Sequence, residues 1–238
     1  MKNLWLLVGI SLLACEPQPS APVSDEIAPV AEGQHFNAAF LLIDGVYNSE
    51  LMAPYDIFQH TIFHTQGGIT VFTVAPDSTP VRTFEGLHIL PHYTFDSPDL
   101  PEIDILVVAS AEHNMDTDLE NERLISWVKN TGQNADYVMS LCDGAFVLAK
   151  AGLVEGKEST TFPSDIPKYR EMFPELTIHE NVSFVHDGKL LTSNGGAKSY
   201  DVALYLVHHL YGEKVAKGVG KGLVIDWQLT DYQFIRKE

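Results

Sequence analysis

Tyr137-Val138-Met139-Ser140-Leu141-Cys142-Asp143-Gly144-Ala145-Phe146-Val147-Leu148-Ala149 decides how this chain is read. It starts as an apolar, β-leaning segment and ends in helix formers, with Cys142, Asp143 and Gly144 between them. A strand that turns directly into a helix lifts the turn side chain above the sheet edge. It also aims the free N–H groups of the first helical turn at that side chain. Such a setting suits a nucleophile, and a helix N-terminus can lower a thiol pKa from about 8.5 to roughly 3.5–7.5. The same residues also fit a packing role, because an unpaired cysteine is commonly buried.

Outward from this run the pattern alternates. Phe36–Ile43, Ile69–Ala75 and Ile103–Val108 are short apolar runs of the kind that form strands buried on both faces. Leu51–Thr65 and Leu119–Lys129 carry apolar residues at helical spacing, with Pro54 in a first turn, where proline is tolerated. Val81–Pro91 reads as a small hairpin turning at Glu85-Gly86. Asp187-Gly188 signals a second hairpin within Ile178–Thr192. Ser164 or Asp165 opens a helix to about Phe173. Ser199–Tyr211 is an apolar helix ended by Gly212, and Glu213–Trp227 continues as a last helix weakened by three glycines. Strands alternating with helices imply an α/β fold with a mostly parallel sheet covered on both faces.

Length and composition fit one globular domain over residues 36–238. Fifteen Lys and Arg stand against 32 Asp and Glu, a net charge of −17. That balance argues against nucleic-acid binding, which needs a basic footprint. Residues 1–15 look exported: Lys2 precedes the apolar run Leu4–Ala14, too short to span a bilayer. Leu12-Leu13-Ala14-Cys15 resembles a bacterial lipoprotein cleavage box, which implies lipid attachment at Cys15 and a place in the cell envelope. Residues 16–35, with four prolines among Ser, Ala and Glu, read as a disordered tether. Cys142 is then the one thiol of the mature domain.

Ser140–Leu153 resembles the nucleophile segment of the ThiJ/PfpI superfamily, near isonitrile hydratase and the amidotransferase-like domains of AraC-type regulators. Glu50–Phe58, Gly156-Lys157, Thr160-Thr161, Phe173-Pro174-Glu175, Asp187-Gly188-Lys189, Leu191-Thr192-Ser193 and Asp201–Leu204 extend the likeness from about Phe36 to Trp227. The resemblance implies a flavodoxin-like sandwich related to class I glutamine amidotransferases, commonly dimeric. It places Cys142 as the elbow cysteine and Glu50 as the acidic residue approaching it. The backbone N–H groups of Ser110 and Ala111, with that of Asp143, would form an oxyanion pocket. The chain departs from the family pattern in having Ala109-Ser110-Ala111 for Pro-Gly-Gly and Phe162 where many relatives have His.

These residues point to a cysteine-dependent hydratase or hydrolase acting on a small electrophile: an isonitrile, a nitrile or a reactive carbonyl. Asp143 reads either as the N-cap of the helix after it or as part of the catalytic group. The alternative is a non-catalytic redox-sensing or ligand-binding module built on Cys142, with a transcription-related role third. No phosphate loop or metal-ligand spacing stands out: Gly195-Gly196 and the Gly218–Gly222 series lack a dinucleotide setting. The expected partners are a small molecule, a second copy of the chain, and the membrane through the lipid alone. Neither cofactor nor metal is expected.

Overall fold

The computed structural model of the protein describes residues 29–237. The expected signal peptide and Cys15 lie outside them, as does most of the expected tether. In chain order the elements are β1 (His35–Leu41), α1 (Asn48–His60), β2 (Gly68–Ala75), β3 (Val81–Arg82), β4 (His88–Ile89), β5 (Tyr93–Thr94) and β6 (Ile105–Val108). Then follow α2 (Glu122–Asn134), β7 (Tyr137–Leu141), α3 (Gly144–Lys150), β8 (Glu158–Ser159), α4 (Ile166–Met172) and β9 (Thr177–Ile178). The chain ends with β10 (Phe184–Asp187), β11 (Leu190–Ser193), α5 (Ser199–Tyr211), α6 (Glu213–Gly222) and β12 (Phe234–Lys237).

Eight strands form one sheet in the order β12-β10-β11-β7-β6-β1-β2-β5, parallel except for the β10–β11 hairpin. Every residue of β6 is fully buried, as an apolar run covered on both faces requires. Helices α1, α5 and α6 pack on one another, and α2 packs against α3. The order reverses around β1, β6 and β7, so the strand ends there face the crevice in which open α/β sheets place ligands.

Local chemistry moved several boundaries. The expected helix from Leu119 begins only at Glu122, because the Asn121 carboxamide caps Leu124 N–H at 3.1 Å and Thr117–Glu120 forms a separate tight turn. The expected last helix stops at Gly222 instead of reaching Trp227. Chain reversal there buries Trp227 edge-on against the His208 ring, 5.5 Å away. The chain then adds β12, which the sequence reading lacked. Phe234 stacks on Phe184 at 4.8 Å and packs near Tyr205. The end of the expected tether is docked rather than free: Val30 and Ala31 donate backbone hydrogen bonds to His209 O and Leu210 O.

A buried polar group sits beneath β10. His186 Nε2 donates to Gly188 O at 2.7 Å, and its Nδ1 accepts from Tyr205 Oη at 2.8 Å. Burial holds this imidazole down to about 4. It is neutral in the fold, whereas in the unfolded chain it takes a proton below about 6.5. Its contribution to stability is therefore complete above that pH and lost as pH falls toward 4. The ring resonances of His186 should titrate with a midpoint near 4 by NMR; a midpoint near 6.5 would contradict its buried neutral state.

Candidate active site

Four strand ends build the site. Cys142 follows β7, Ser110 lies two residues beyond β6, Glu50 stands in the first turn of the helix after β1, and Gly195-Gly196 follow β11. Cys142 N–H still completes the ladder to Ser193 O at 2.9 Å, and then the chain turns. Its φ is +51°, a left-handed conformation that costs a residue with a Cβ roughly 1–2 kcal/mol. Strain of this kind is held only where the surroundings over-determine it. Thr161 helps: its hydroxyl donates to Cys142 O at 2.9 Å.

Glu50 is buried, and both of its oxygens are engaged. Oε1 accepts from Gly196 N at 3.0 Å and Oε2 accepts from Ser110 N at 3.2 Å. One carboxylate thus ties the loop after β11 to the loop after β6, across the cysteine between them. Gly195 closes the remaining side at φ +69° and ψ −154°, a region open essentially to glycine alone. A Cβ there would lie 2.4 Å from Cys142 Cβ, 2.8 Å from Cys142 N and 2.9 Å from Glu50 Oε1. The sequence reading set this glycine pair aside for want of a dinucleotide setting. A Gly-Gly pair straight after a buried strand was the available signal.

The thiol is pushed well above its usual range, chiefly by burial and then by the Glu50 and Asp143 carboxylates. The Ser110 hydroxyl and the Asp143 N–H favour the anion but do not offset this. Ser110 Oγ makes no hydrogen bond of ordinary geometry, so it faces the thiol with bonding capacity to spare. The helix after Cys142 therefore does not acidify it as the local reading anticipated; burial and two carboxylates outweigh one short helix.

Asp143 occupies the N-cap position of α3, but its side chain makes no capping hydrogen bond. Its Oδ1 instead shares the Thr161 hydroxyl hydrogen with Cys142 O, at 3.2 Å, and the carboxylate also interacts with the Cys142 thiol. Burial and the nearby Asp165 raise it to about 6, against those two hydrogen-bonding partners. Tyr47 is a further group that the sequence reading missed. Burial raises its phenol, and Cys142, Glu112, Asp143 and Glu50 add to the rise, which puts the ring at the same site. It lies against Phe84 of the β3–β4 arm, with centroids 4.6 Å apart.

Two expected oxyanion donors are already in use. Ser110 N–H is given to Glu50, and Ala111 N–H goes to Asn114 Oδ1 at 2.8 Å. The Ala-Ser-Ala segment folds back onto a buried Asn114, which in turn donates to Asp118. This leaves the Asp143 N–H as a backbone donor directed at the Cys142 sulfur. His113, on the same rim, sits in an exposed loop paired with Asp116. Among the described residues, no group of three His, Cys, Asp or Glu is placed to hold a metal ion.

A mostly parallel sheet flanked by helices, with Cys142 at a strand–helix turn, defines an α/β protein. Residues 37–209 match the DJ-1/PfpI family, and the chain belongs to it. It is 31% identical to an isonitrile hydratase of Pseudomonas putida over 179 residues, covering 75% of this chain and 73% of that protein. It is 30% identical to the HTH-type transcriptional regulator CdhR of Pseudomonas aeruginosa, over 43% of this chain but only 30% of the regulator. A solved ThiJ/PfpI family structure from Pseudomonas syringae superposes with a TM-score of 0.72 at 21% identity, covering 90% of this chain and 85% of that one.

Two outcomes follow from the geometry. Gly195→Ala should destabilise the fold by about 2–3 kcal/mol, since positive φ and contact with backbone act together; an unchanged denaturation midpoint would contradict the close packing. Asp143→Asn should stabilise the protein at pH 7 by up to about 3 kcal/mol. A carboxyl raised in the fold carries stability that is complete below about pH 4 and lost as pH rises through about 6. The gain should therefore vanish at pH 4, as read from denaturation midpoints at the two pH values.

Proposed function

We propose that this protein is a cysteine-dependent hydratase acting on a small, uncharged electrophile, with an isonitrile as the leading candidate. The observation that carries the reading is Cys142, held in a left-handed turn between Glu50 and Asp143 and closed over by Gly195. The relation to isonitrile hydratase supports the choice of substrate. Beyond burial, Glu50 and Asp143 raise the thiol, Asp165 and Glu50 raise Asp143, and Cys142 with three carboxylates raises the Tyr47 phenol. An anionic substrate would add like charge to that group, so a neutral one fits better.

The raised thiol also sets the order of events. Sulfur is protonated at neutral pH, so bond formation must be coupled to proton removal. Asp143, raised to about 6 and facing the thiol, takes the proton as Cys142 Sγ bonds to the terminal isonitrile carbon. That carbon then receives the proton, giving a thioimidate. Water adds to the same carbon, with one of its protons passing to nitrogen through Asp143. The C–S bond breaks, the hydroxyl proton returns to sulfur, and an N-substituted formamide leaves. Isonitrile plus water is fully accounted for. Glu50 holds the two loops around the sulfur, and Asp143 N–H and the Ser110 hydroxyl face it and favour its anion.

A second reading rests on the engaged amides of Ser110 and Ala111: a ligand-binding module whose thiol performs no turnover. Redox sensing by the same thiol is less well served, because oxidation follows thiolate character. Export and lipid attachment at Cys15 remain part of the proposal on sequence grounds, as does a homodimer by analogy with the family.

Turnover of a simple isonitrile to the formamide, followed by NMR, tests the reading. Cys142→Ala should reduce it to background and Glu50→Gln should lower kcat at least about 100-fold. In the wild type, kcat/KM should rise through about pH 6 as Asp143 loses its proton. Full activity in Cys142→Ala would falsify the enzyme reading, and unchanged ligand binding by that variant would favour the binding module.

A further inference from the structure

A second face of the molecule, away from Cys142, combines exposed apolar side chains with lysines. Helix α6 carries Lys214, Lys217 and Lys221 within eight residues of a chain that has only 15 basic residues in all. All three are exposed. Lys217 pairs with Glu213 on the same helix, and Lys221 stands in the last turn, where a cation suits the helix dipole. Lys214 stands in the first turn, where a cation opposes it, so helix stability does not account for the set.

Two apolar features flank these lysines. The first is the tight turn Thr61–Phe63, where Phe63 is 71% and Ile62 48% exposed. Glycines four residues apart on α6 bring it close: a Cβ at Gly218 would lie 2.7 Å from His64 Nδ1, and one at Gly222 would lie 3.9 Å from His64 Nε2. The imidazole thus seats on the glycine face and holds the Thr61–Phe63 turn against α6. The second feature is Val224, just past the helix, which is 94% exposed. Its φ is +60°, where glycine is usual and a β-branched residue is strained. The chain thus accepts backbone strain and full exposure of an apolar side chain at one point, beside a cavity of about 390 Å³ lined by Lys217, Lys221, Val224, Trp227 and one carboxylate, Asp226.

We infer that this face docks on an anionic phospholipid surface, with Val224 and Phe63 entering the interfacial layer and the α6 lysines meeting the headgroups. Charge complementarity supports that occupant. The protein as a whole, at a net charge of −17, is repelled by such a surface. Screening within about 8 Å lets a local basic face act on its own. Apolar prongs framed by Lys are the make-up of interfacial contacts. The described chain also begins here: Pro29 packs 3.6 Å from a Cβ position on Gly212, directly before α6. Cys15 lies fourteen residues upstream, a covalent reach of at most about 50 Å. The inference does not depend on the chemistry at Cys142.

Amide hydrogen exchange of the full chain on vesicles tests it, because any attachment through the N-terminal segment is common to both lipid compositions. On phosphatidylglycerol-containing vesicles, exchange over residues 61–65 and 213–225 should be at least threefold slower than on pure phosphatidylcholine vesicles. Lys217→Glu with Lys221→Glu should abolish that difference. Val224→Gly should reduce the protection without lowering Tm, since glycine relieves the strain. Equal exchange on the two compositions, or a difference that survives in the double variant, overturns the inference; so does full protection in Val224→Gly.

Discussion

The Glu50 carboxylate is the interaction on which the site depends. Its two oxygens collect backbone donors from Gly196 and Ser110, 146 and 60 residues away in sequence. Buried amides without partners are costly, and a buried carboxylate is costlier still, so each end of this bridge requires the other. The bridge spans β7, because β6 and β11 are the neighbours of that strand. Whatever stands at the end of β7 is therefore enclosed, and Cys142 stands there. Gly195 follows from the same closure: with the loop drawn down onto Glu50, no space remains for a Cβ.

Enclosure decides the electrostatics. An exposed thiol at a helix start would be acidified by the helix, as the sequence run suggested. Inside this ring of carboxylates the balance reverses, and the thiol is held in its protonated form. The site then resembles a coupled acid–base group more than a free thiolate. Asp143 lies beside the thiol, raised to about 6, and does not cap its helix. Thr161, rather than the helix, satisfies its carboxylate.

Much of the site was legible in the chain for identifiable reasons. A buried strand needs an apolar run, and an elbow needs a small set of residues in a fixed order, so Cys142 and its turn could be placed from local sequence. Glu50 was reached only through family resemblance, since nothing local distinguishes it from a helix-start carboxylate. Tyr47 and Gly195 were not reached, because each matters through residues far off in the chain. The Ser110 and Ala111 amides were placed correctly at the strand end, yet their hydrogen bonds go to Glu50 and Asn114, partners that sequence position does not reveal.

The sequence by itself determined the alternation of strands and helices, the parallel character of the sheet, the strand–helix turn at Cys142 and the acidic balance of the chain. These follow from apolar periodicity, chain punctuation and charge counts, which are local or additive. Only the tertiary structure decided the protonation of the thiol, the occupancy of the amides around it, and the hydrogen bonding of Asp143. It also decided the end of α6 at a strained, exposed Val224. These properties arise from burial and from contacts between distant segments, and neither has a signature in the order of residues along one stretch.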